Sequence, residues 1–119
     1  FTAEDAPSEA VARLEGAGAR VHRLPRDPAG VSLEAAFEVC WDTGIRSLFC
    51  EGGRRVASHL IRGGFARRLY LFVAPFVLGE RGVPAFSGAE PREAWEAWNA
   101  GAPPWLFGRD VRLTFDRTA

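Results

Sequence analysis

An acidic residue followed by two glycines, Glu51-Gly52-Gly53, joins a short apolar run to an amphipathic segment. Residues 45–50 have the composition of a buried strand, and residues 53–62 repeat their apolar side chains with the period of a helix. The first amides of a helix have no partner inside it, and the helix dipole favours negative charge there. Because glycines have no Cβ, a ligand can approach their backbone closely. The spacing predicts a phosphate site at this strand–helix junction, with a plain tight turn as the alternative.

The side chains around this junction have both functional and structural interpretations. All 15 basic residues of the chain are arginines, so a phosphate held by a cationic side chain would be held by a guanidinium group. Arg54 and Arg55 are adjacent in the helix and point in different directions, so at most one of them is expected to reach a phosphate. The alternative for both arginines is a solvent-exposed surface position without a ligand. The alternative for Glu51 is that its carboxylate caps the N-terminus of the helix. His59 has no evident orienting acid and is a poor candidate for a general base.

The composition excludes several classes of function. The 15 acidic and 15 basic residues balance to a net charge of zero, so no overall basic field would attract nucleic acid or an anionic membrane. Cys40, Cys50, His22 and His59 do not match the spacing of a zinc site, and no metal is expected. No run of about 18 apolar residues predicts a membrane span. A hydrophobic content of 47% predicts one globular domain over residues 1–119, and the cysteine usage suits a reducing cytoplasm.

Helical and strand patterns alternate along the chain, which indicates an α/β fold. The predicted helices are residues 7–14, the segment from Ser32 to Gly44, residues 53–62 and a short helix within 91–99 that carries Trp95 and Trp98. The predicted strands are residues 19–24, 45–50, 69–78 and 110–116, with loops at 25–30 and 79–82. Residues 69–78 are apolar on both faces, which predicts an interior strand that bends or ends at Pro75.

The order of these elements, and the residues at their joints, resemble the dihydrofolate reductase-like fold. More closely, they resemble the C-terminal reductase domain of the bacterial bifunctional riboflavin-biosynthesis deaminase/reductase. The residues that carry the resemblance are 2–7, 48–53, 65–75, 78–79 and 108–113. The resemblance implies a three-layer α-β-α sandwich around a mostly parallel mixed sheet. The family's opening strand and first helix have no counterpart here, so the domain is expected to be N-terminally incomplete.

The resemblance also implies an activity and a set of contacts. The family reduces a ribosylaminopyrimidine phosphate to its ribityl form with NADPH, and its relatives form homodimers. Glu51 would hold the phosphorylated pyrimidine substrate, and Thr2 would contact the adenosine ribose or its 2′-phosphate. The remaining expected cofactor contacts are the backbone amides of Gly52, Gly53, Arg54, Arg55 and Val56 and the hydroxyl of Ser58. No catalytic residue is assigned.

Two alternatives remain open at this point. The chain could be a dimerising or nucleotide-binding remnant that keeps the fold without the chemistry, or a reductase of the same fold with another substrate. In the family, much of the substrate and nicotinamide pocket lies on elements that precede Phe1. The resemblance therefore implies that this N-terminally incomplete chain could be inactive by itself.

Overall fold

The computed structural model describes residues 1–28, 30–87 and 92–118 of the chain. Contacts within the chain divide it into two compact units, Phe1–Cys50 and Glu51–Ala119. Both units contain helices and strands, which agrees with the predicted α/β class. The expectation of one domain over residues 1–119 stays a prediction.

The first unit contains two helices and four very short strands. These elements are β1 (Thr2–Ala3), α1 (Ser8–Gly16), β2 (Arg23–Leu24), β3 (Arg26–Asp27), β4 (Gly30–Val31) and α2 (Leu33–Asp42). β1 pairs with β2 in parallel, and β3 pairs with β4 as an antiparallel hairpin. The buried apolar side chains of this unit are Ala3, Val11, Leu24, Ala36 and Cys40. They come from α1, α2 and the parallel strand pair, which together form the core of the unit.

Both helices of the first unit lie where the sequence predicted them. The Ser32 hydroxyl accepts a hydrogen bond from the Ala35 amide at 3.2 Å and caps α2. After α2, Gly44 has a φ of +88°, which a residue with a Cβ rarely adopts. The Ile45 amide then donates to the Cys40 carbonyl at 2.8 Å, a bond typical of a glycine-terminated helix.

Two strand predictions in the first unit need correction. Only Arg23–Leu24 of the predicted strand 19–24 is paired, and the predicted loop 25–30 contains the β3–β4 hairpin. Residues 45–50 form no strand in the part of the chain that the structure describes, and Phe49 is 74% exposed. A buried strand requires a hydrogen-bonded neighbour as well as apolar side chains, and none of the described strands pairs with this run.

The second unit is built on a three-stranded antiparallel sheet. Its elements are α3 (Arg54–Arg62), β5 (Arg68–Val73), α4 (Glu93–Glu96), β6 (Trp98–Phe107) and β7 (Asp110–Arg117). The strand order is β5-β7-β6, so β7 is paired along both edges. The predictions of α3, of β7 and of a short helix near Trp95 are confirmed, whereas Trp98 begins β6.

β5 differs from the interior strand that the sequence predicted. It ends at Val73, before Pro75 as expected, but it lies at one edge of the described sheet, and Phe72 and Val73 are exposed. Leu69 and Leu71, on one face of β5, are half-buried, whereas Tyr70 and Phe72, on the other face, are exposed. Position in a sheet follows from pairing, which composition does not specify.

β6 was not predicted, since no element was assigned to residues 100–107, and it contains Pro103-Pro104 in its middle. The register between β6 and β7 shifts between Ala100 and Ala102 and again between Ala102 and Trp105. Prolines cannot donate to a ladder and are tolerated at a sheet edge or at a bulge, and β6 provides both conditions. Parallel pairing among the described strands is confined to β1 and β2. The mostly parallel three-layer sandwich therefore stays a prediction.

A bidentate ion pair joins β5 to β7. The Arg68 guanidinium donates to both carboxylate oxygens of Asp116, at 2.6 Å and 2.9 Å. A Cβ placed on Gly101 of β6 would collide with this carboxylate, so glycine leaves the room that the pair occupies. Hydrogen bonding to Arg68 lowers the pKa of the Asp116 carboxyl below its ordinary value.

This ion pair predicts an acid-dependent contribution to stability. Because the pKa of Asp116 is lowered in the folded chain, the pair stabilises the fold above the unfolded pKa of about 4 and the effect is lost as pH falls through the folded pKa. We expect Asp116→Asn to reduce the fall in the urea midpoint between about pH 5 and pH 2. Asp110→Asn, at the exposed start of the same strand, is the control. Equal pH profiles for the two variants would contradict the assignment.

Candidate functional site

The N-terminus of α3 leaves backbone amides facing away from the helix. Gly53 precedes the helix in an extended conformation, with φ −69° and ψ −179°, and as a glycine it offers no side-chain cap to the first turn. The first intrahelical hydrogen bond runs from the Ala57 amide to the Gly53 carbonyl at 3.1 Å. The amides of Arg54, Arg55 and Val56 precede that bond and point outward along the helix axis. The helix part of the predicted strand–helix junction is therefore present, whereas the strand expected at residues 45–50 is absent from the described chain.

The charges at this end of α3 oppose the usual preference of a helix. Acidic residues normally stabilise the first turn, because the helix dipole is positive there. The first turn of α3 carries Arg54 and Arg55 and no acid. Two cations beside the positive end of a dipole repel it and one another, and an anion bound at the amides would relieve both effects. The electrostatics therefore favour a negatively charged ligand at this turn.

Gly53 has open space where a side chain would lie. A Cβ placed on Gly53 would meet nothing within 4 Å, and its φ lies in the range that any residue adopts. Neither packing nor backbone strain therefore requires glycine here. A missing side chain in front of outward-pointing amides allows a ligand to approach the backbone. Residues 51–56, which comprise most of the predicted contacts, are all exposed.

Ser58, unlike the other predicted contacts on α3, is not exposed to solvent. Its side chain is fully buried, and its hydroxyl accepts a hydrogen bond from the Ser87 amide at 2.7 Å. A phosphate contact would require this hydroxyl to leave its buried position. No local pattern predicts this hydrogen bond, because the two serines are 29 residues apart. Ser87 is thus a neighbour of the site that sequence reasoning missed.

Thr2 lies in the first unit, whereas the other predicted contacts lie in the second. Its amide donates to the His22 carbonyl at 2.9 Å, and its hydroxyl donates to the Ala3 carbonyl at 3.1 Å. The loop that follows is organised by Arg23, whose guanidinium donates to the carbonyls of Glu4 and Ala6 at 2.7 Å and 2.8 Å. Thr2 therefore begins the two-residue parallel strand β1, which leads into the loop held by Arg23.

Arg26 adds a second guanidinium at this strand end. It pairs with Asp5 at 2.9 Å, and that hydrogen-bonded pair lowers the pKa of the Asp5 carboxyl.

Among the described residues, no group of three or more His, Cys, Asp or Glu side chains could hold a metal ion. In the same part of the chain, no helix has the length and apolar character needed to cross a membrane.

Comparison with protein families identifies the chain. The family model of the RibD C-terminal domain matches residues 1–112. The chain belongs to the RibD C-terminal domain family. This domain is the C-terminal part of the riboflavin-biosynthesis deaminase/reductase, so the resemblance seen in the sequence is confirmed. Comparison with curated proteins found no match to the chain.

Membership of the RibD C-terminal domain family implies a reductase of riboflavin biosynthesis, and hence an oxidoreductase that acts on a small molecule. The matched range contains the whole α3 junction, Thr2 and both serines of the Ser58–Ser87 hydrogen bond. It ends at Arg112, within β7. The candidate site therefore lies inside the portion of the chain that carries the family pattern.

The electrostatic arrangement of α3 predicts that its first turn is less stable than it could be. We expect Arg54→Glu to raise the free energy of unfolding by about 0.3–1 kcal/mol at low ionic strength, because an acid replaces a cation at the positive end of the dipole. Urea denaturation at low and high salt measures the effect, which salt should diminish. Arg62→Glu, in the last turn of the same helix, should change stability in the opposite direction. A stabilising effect of both variants would show that the dipole is not the cause.

Proposed function

We propose that the chain is an NADPH-dependent reductase domain of the 5-amino-6-(5-phosphoribosylamino)uracil reductase type, which converts a ribosylaminopyrimidine phosphate to its ribityl form. The observation that carries the proposal is the N-terminus of α3, with outward-facing amides, two arginines and open space at Gly53. Family membership supplies the reaction class. Both partners of such a reaction carry phosphate groups, which suits a site selected for anions.

The residues of the α3 junction fit the pyrophosphate of a dinucleotide. The amides of Gly52, Gly53 and the first helical turn, Arg54 to Val56, would donate to its oxygens, and one of the two arginines would add a charge-assisted bond. When bound, NADPH supplies the hydride that reduces the sugar carbon. The protein's part is to bind and orient the two molecules and to exclude water. Thr2 is retained as a contact to the adenosine ribose or its 2′-phosphate.

Glu51 is the proposed substrate contact. It is exposed and lies directly before the two glycines, so a molecule next to the cofactor phosphates would pass close to its carboxylate. An ionised carboxylate only accepts hydrogen bonds, which matches the hydroxyl groups of a ribose and the N–H groups of a pyrimidine. Its chemistry therefore complements the polar donors of the proposed substrate.

A homodimer in the cytoplasm completes the proposal, since relatives of the family form dimers. Phe76, Val77 and Leu78, which follow β5, are exposed, and Val77 is 94% exposed. Consecutive apolar residues that are exposed to solvent form a surface suited to contact another protein. Sedimentation equilibrium of the wild-type chain should give twice the monomer mass, and a monomer at all concentrations would contradict this part.

The Gly53→Val variant tests the cofactor site. We expect it to weaken NADPH binding about tenfold or more, because the branched side chain would occupy the approach to the amides. Its free energy of unfolding should change by no more than about 1 kcal/mol, since a Cβ at Gly53 meets nothing within 4 Å. Fluorescence titration and urea denaturation measure the two quantities.

Gly16→Val is the matched control, because a Cβ at Gly16 also meets nothing within 4 Å. It should leave NADPH binding unchanged. Equal losses of binding and stability in Gly53→Val would restore the tight-turn interpretation. A folded wild-type chain without saturable NADPH binding would favour the remnant without chemistry.

The Glu51→Gln variant tests the substrate contact. We expect the KM for the ribosylaminopyrimidine phosphate to rise about tenfold, because a charge-assisted hydrogen bond is lost, while the affinity for NADPH stays the same. Steady-state kinetics with each substrate varied in turn separates the two effects. Glu15→Gln, on α1, is the control. Unchanged kinetics in Glu51→Gln would remove this residue from the site.

A further inference from the structure

The Ser58–Ser87 hydrogen bond links α3 to a loop far away in sequence. The Ser58 hydroxyl is buried, and it accepts from the Ser87 main-chain amide at 2.7 Å. The donor is a backbone group, so the bond fixes the path of the loop rather than the position of one side chain. If the loop lay against the helix and its amide had no acceptor, the fold would be destabilised. The Ser58 hydroxyl supplies this acceptor and so allows the loop to pack against α3.

The same loop is held a second time by aromatic packing. The Phe86 ring meets the Trp95 ring of α4 edge to face, with ring centroids 5.1 Å apart. The centroid of the Trp95 ring in turn lies 6.4 Å from that of Trp98, at the start of β6. α4 also packs against α3. Two neighbouring residues of the loop, Phe86 and Ser87, are thus held to two packed helices, and this defines the position of the loop.

The attachment point lies close to the proposed phosphate site. Ser58 follows Arg54 by four residues, which corresponds to about 6 Å along the axis at 1.5 Å per residue. Residues four apart lie on the same face of a helix, so Ser58 and Arg54 share one side of α3. Val83, which begins this loop, is 76% exposed. The point at which this loop is attached to α3 therefore lies about one helical turn from the first amides of the helix.

We propose that Ser58 is a positioning residue, whose hydroxyl holds residues 83–87 beside the N-terminus of α3 so that this loop forms a wall of the dinucleotide phosphate site. The inference rests on the proposed function. It replaces a direct contact between Ser58 and the cofactor by an indirect one, through the main chain of the loop. It also adds to the site a segment that lies outside residues 51–56 at the start of α3.

Ser58→Ala and Ser87→Ala together test the inference. Ser58→Ala removes the acceptor, and we expect amide hydrogen exchange in residues 83–87 to become about tenfold faster without ligand. NADPH binding should weaken about threefold to tenfold, because the loop must be ordered on binding. Ser87→Ala keeps the donating amide and removes a hydroxyl that has no hydrogen-bond partner among the described residues. It should leave exchange in residues 83–87 unchanged, and Ser47→Ala, at an exposed position of the first unit, is the control for NADPH binding.

Each other result overturns a defined part of the proposal. Weaker NADPH binding in Ser58→Ala with unchanged exchange would show a direct cofactor contact instead. Faster exchange with unchanged binding would show that the loop is not part of the site. Ser58→Cys, with a similar size and a weak acceptor, replaces Ser58→Ala if that variant does not fold. Absence of NADPH binding by the folded wild-type chain would refute the proposed function itself, and the exchange rates would still report on the hydrogen bond.

Discussion

The second unit depends on the main-chain pairing of β7 along both of its edges. The same strand continues into contacts that fix the helices around the sheet. The Arg117 amide donates to the Arg67 carbonyl at 2.9 Å, and its guanidinium donates to the Gly64 carbonyl, just after α3, at 2.6 Å. The Thr118 amide donates to the Ala97 carbonyl, just after α4, at 2.8 Å. The carboxyl end of β7 therefore holds the residues just after α3 and α4 in place. The first-turn amides of α3 lie at the opposite end of that helix.

Local signals in the sequence were sufficient to predict the helices and β7. Ser32 and Gly44 delimit α2 through a side-chain cap and a positive φ, both of which depend on a few neighbouring residues. The alternation along residues 110–116 needed only its own period. Pairing was not predictable in this way, because it depends on which segments meet. Residues 45–50 have the composition of a strand without a described partner, and β6 is a strand in spite of Pro103-Pro104.

The candidate site shows the same division between local and distant information. The position of Glu51 to Val56 before and within the first turn of α3 followed from two glycines and a helical period. The burial of Ser58 did not, since its partner comes 29 residues later. A serine one turn into a helix looks the same in sequence whether it faces a ligand or the protein interior. Only the path of the later loop distinguishes the two cases.

The two prolines of β6 have a consequence for association between chains. β6 forms one outer edge of the described sheet, and such an edge can recruit a strand from another molecule through its unpaired backbone groups. Pro103 and Pro104 have no amide proton, so a ladder growing along that edge would meet two successive positions unable to donate. β5, the opposite edge, contains no proline between Arg68 and Val73. The two edges of the described sheet are therefore unequally protected against cross-β aggregation, and the β5 edge is the less protected one.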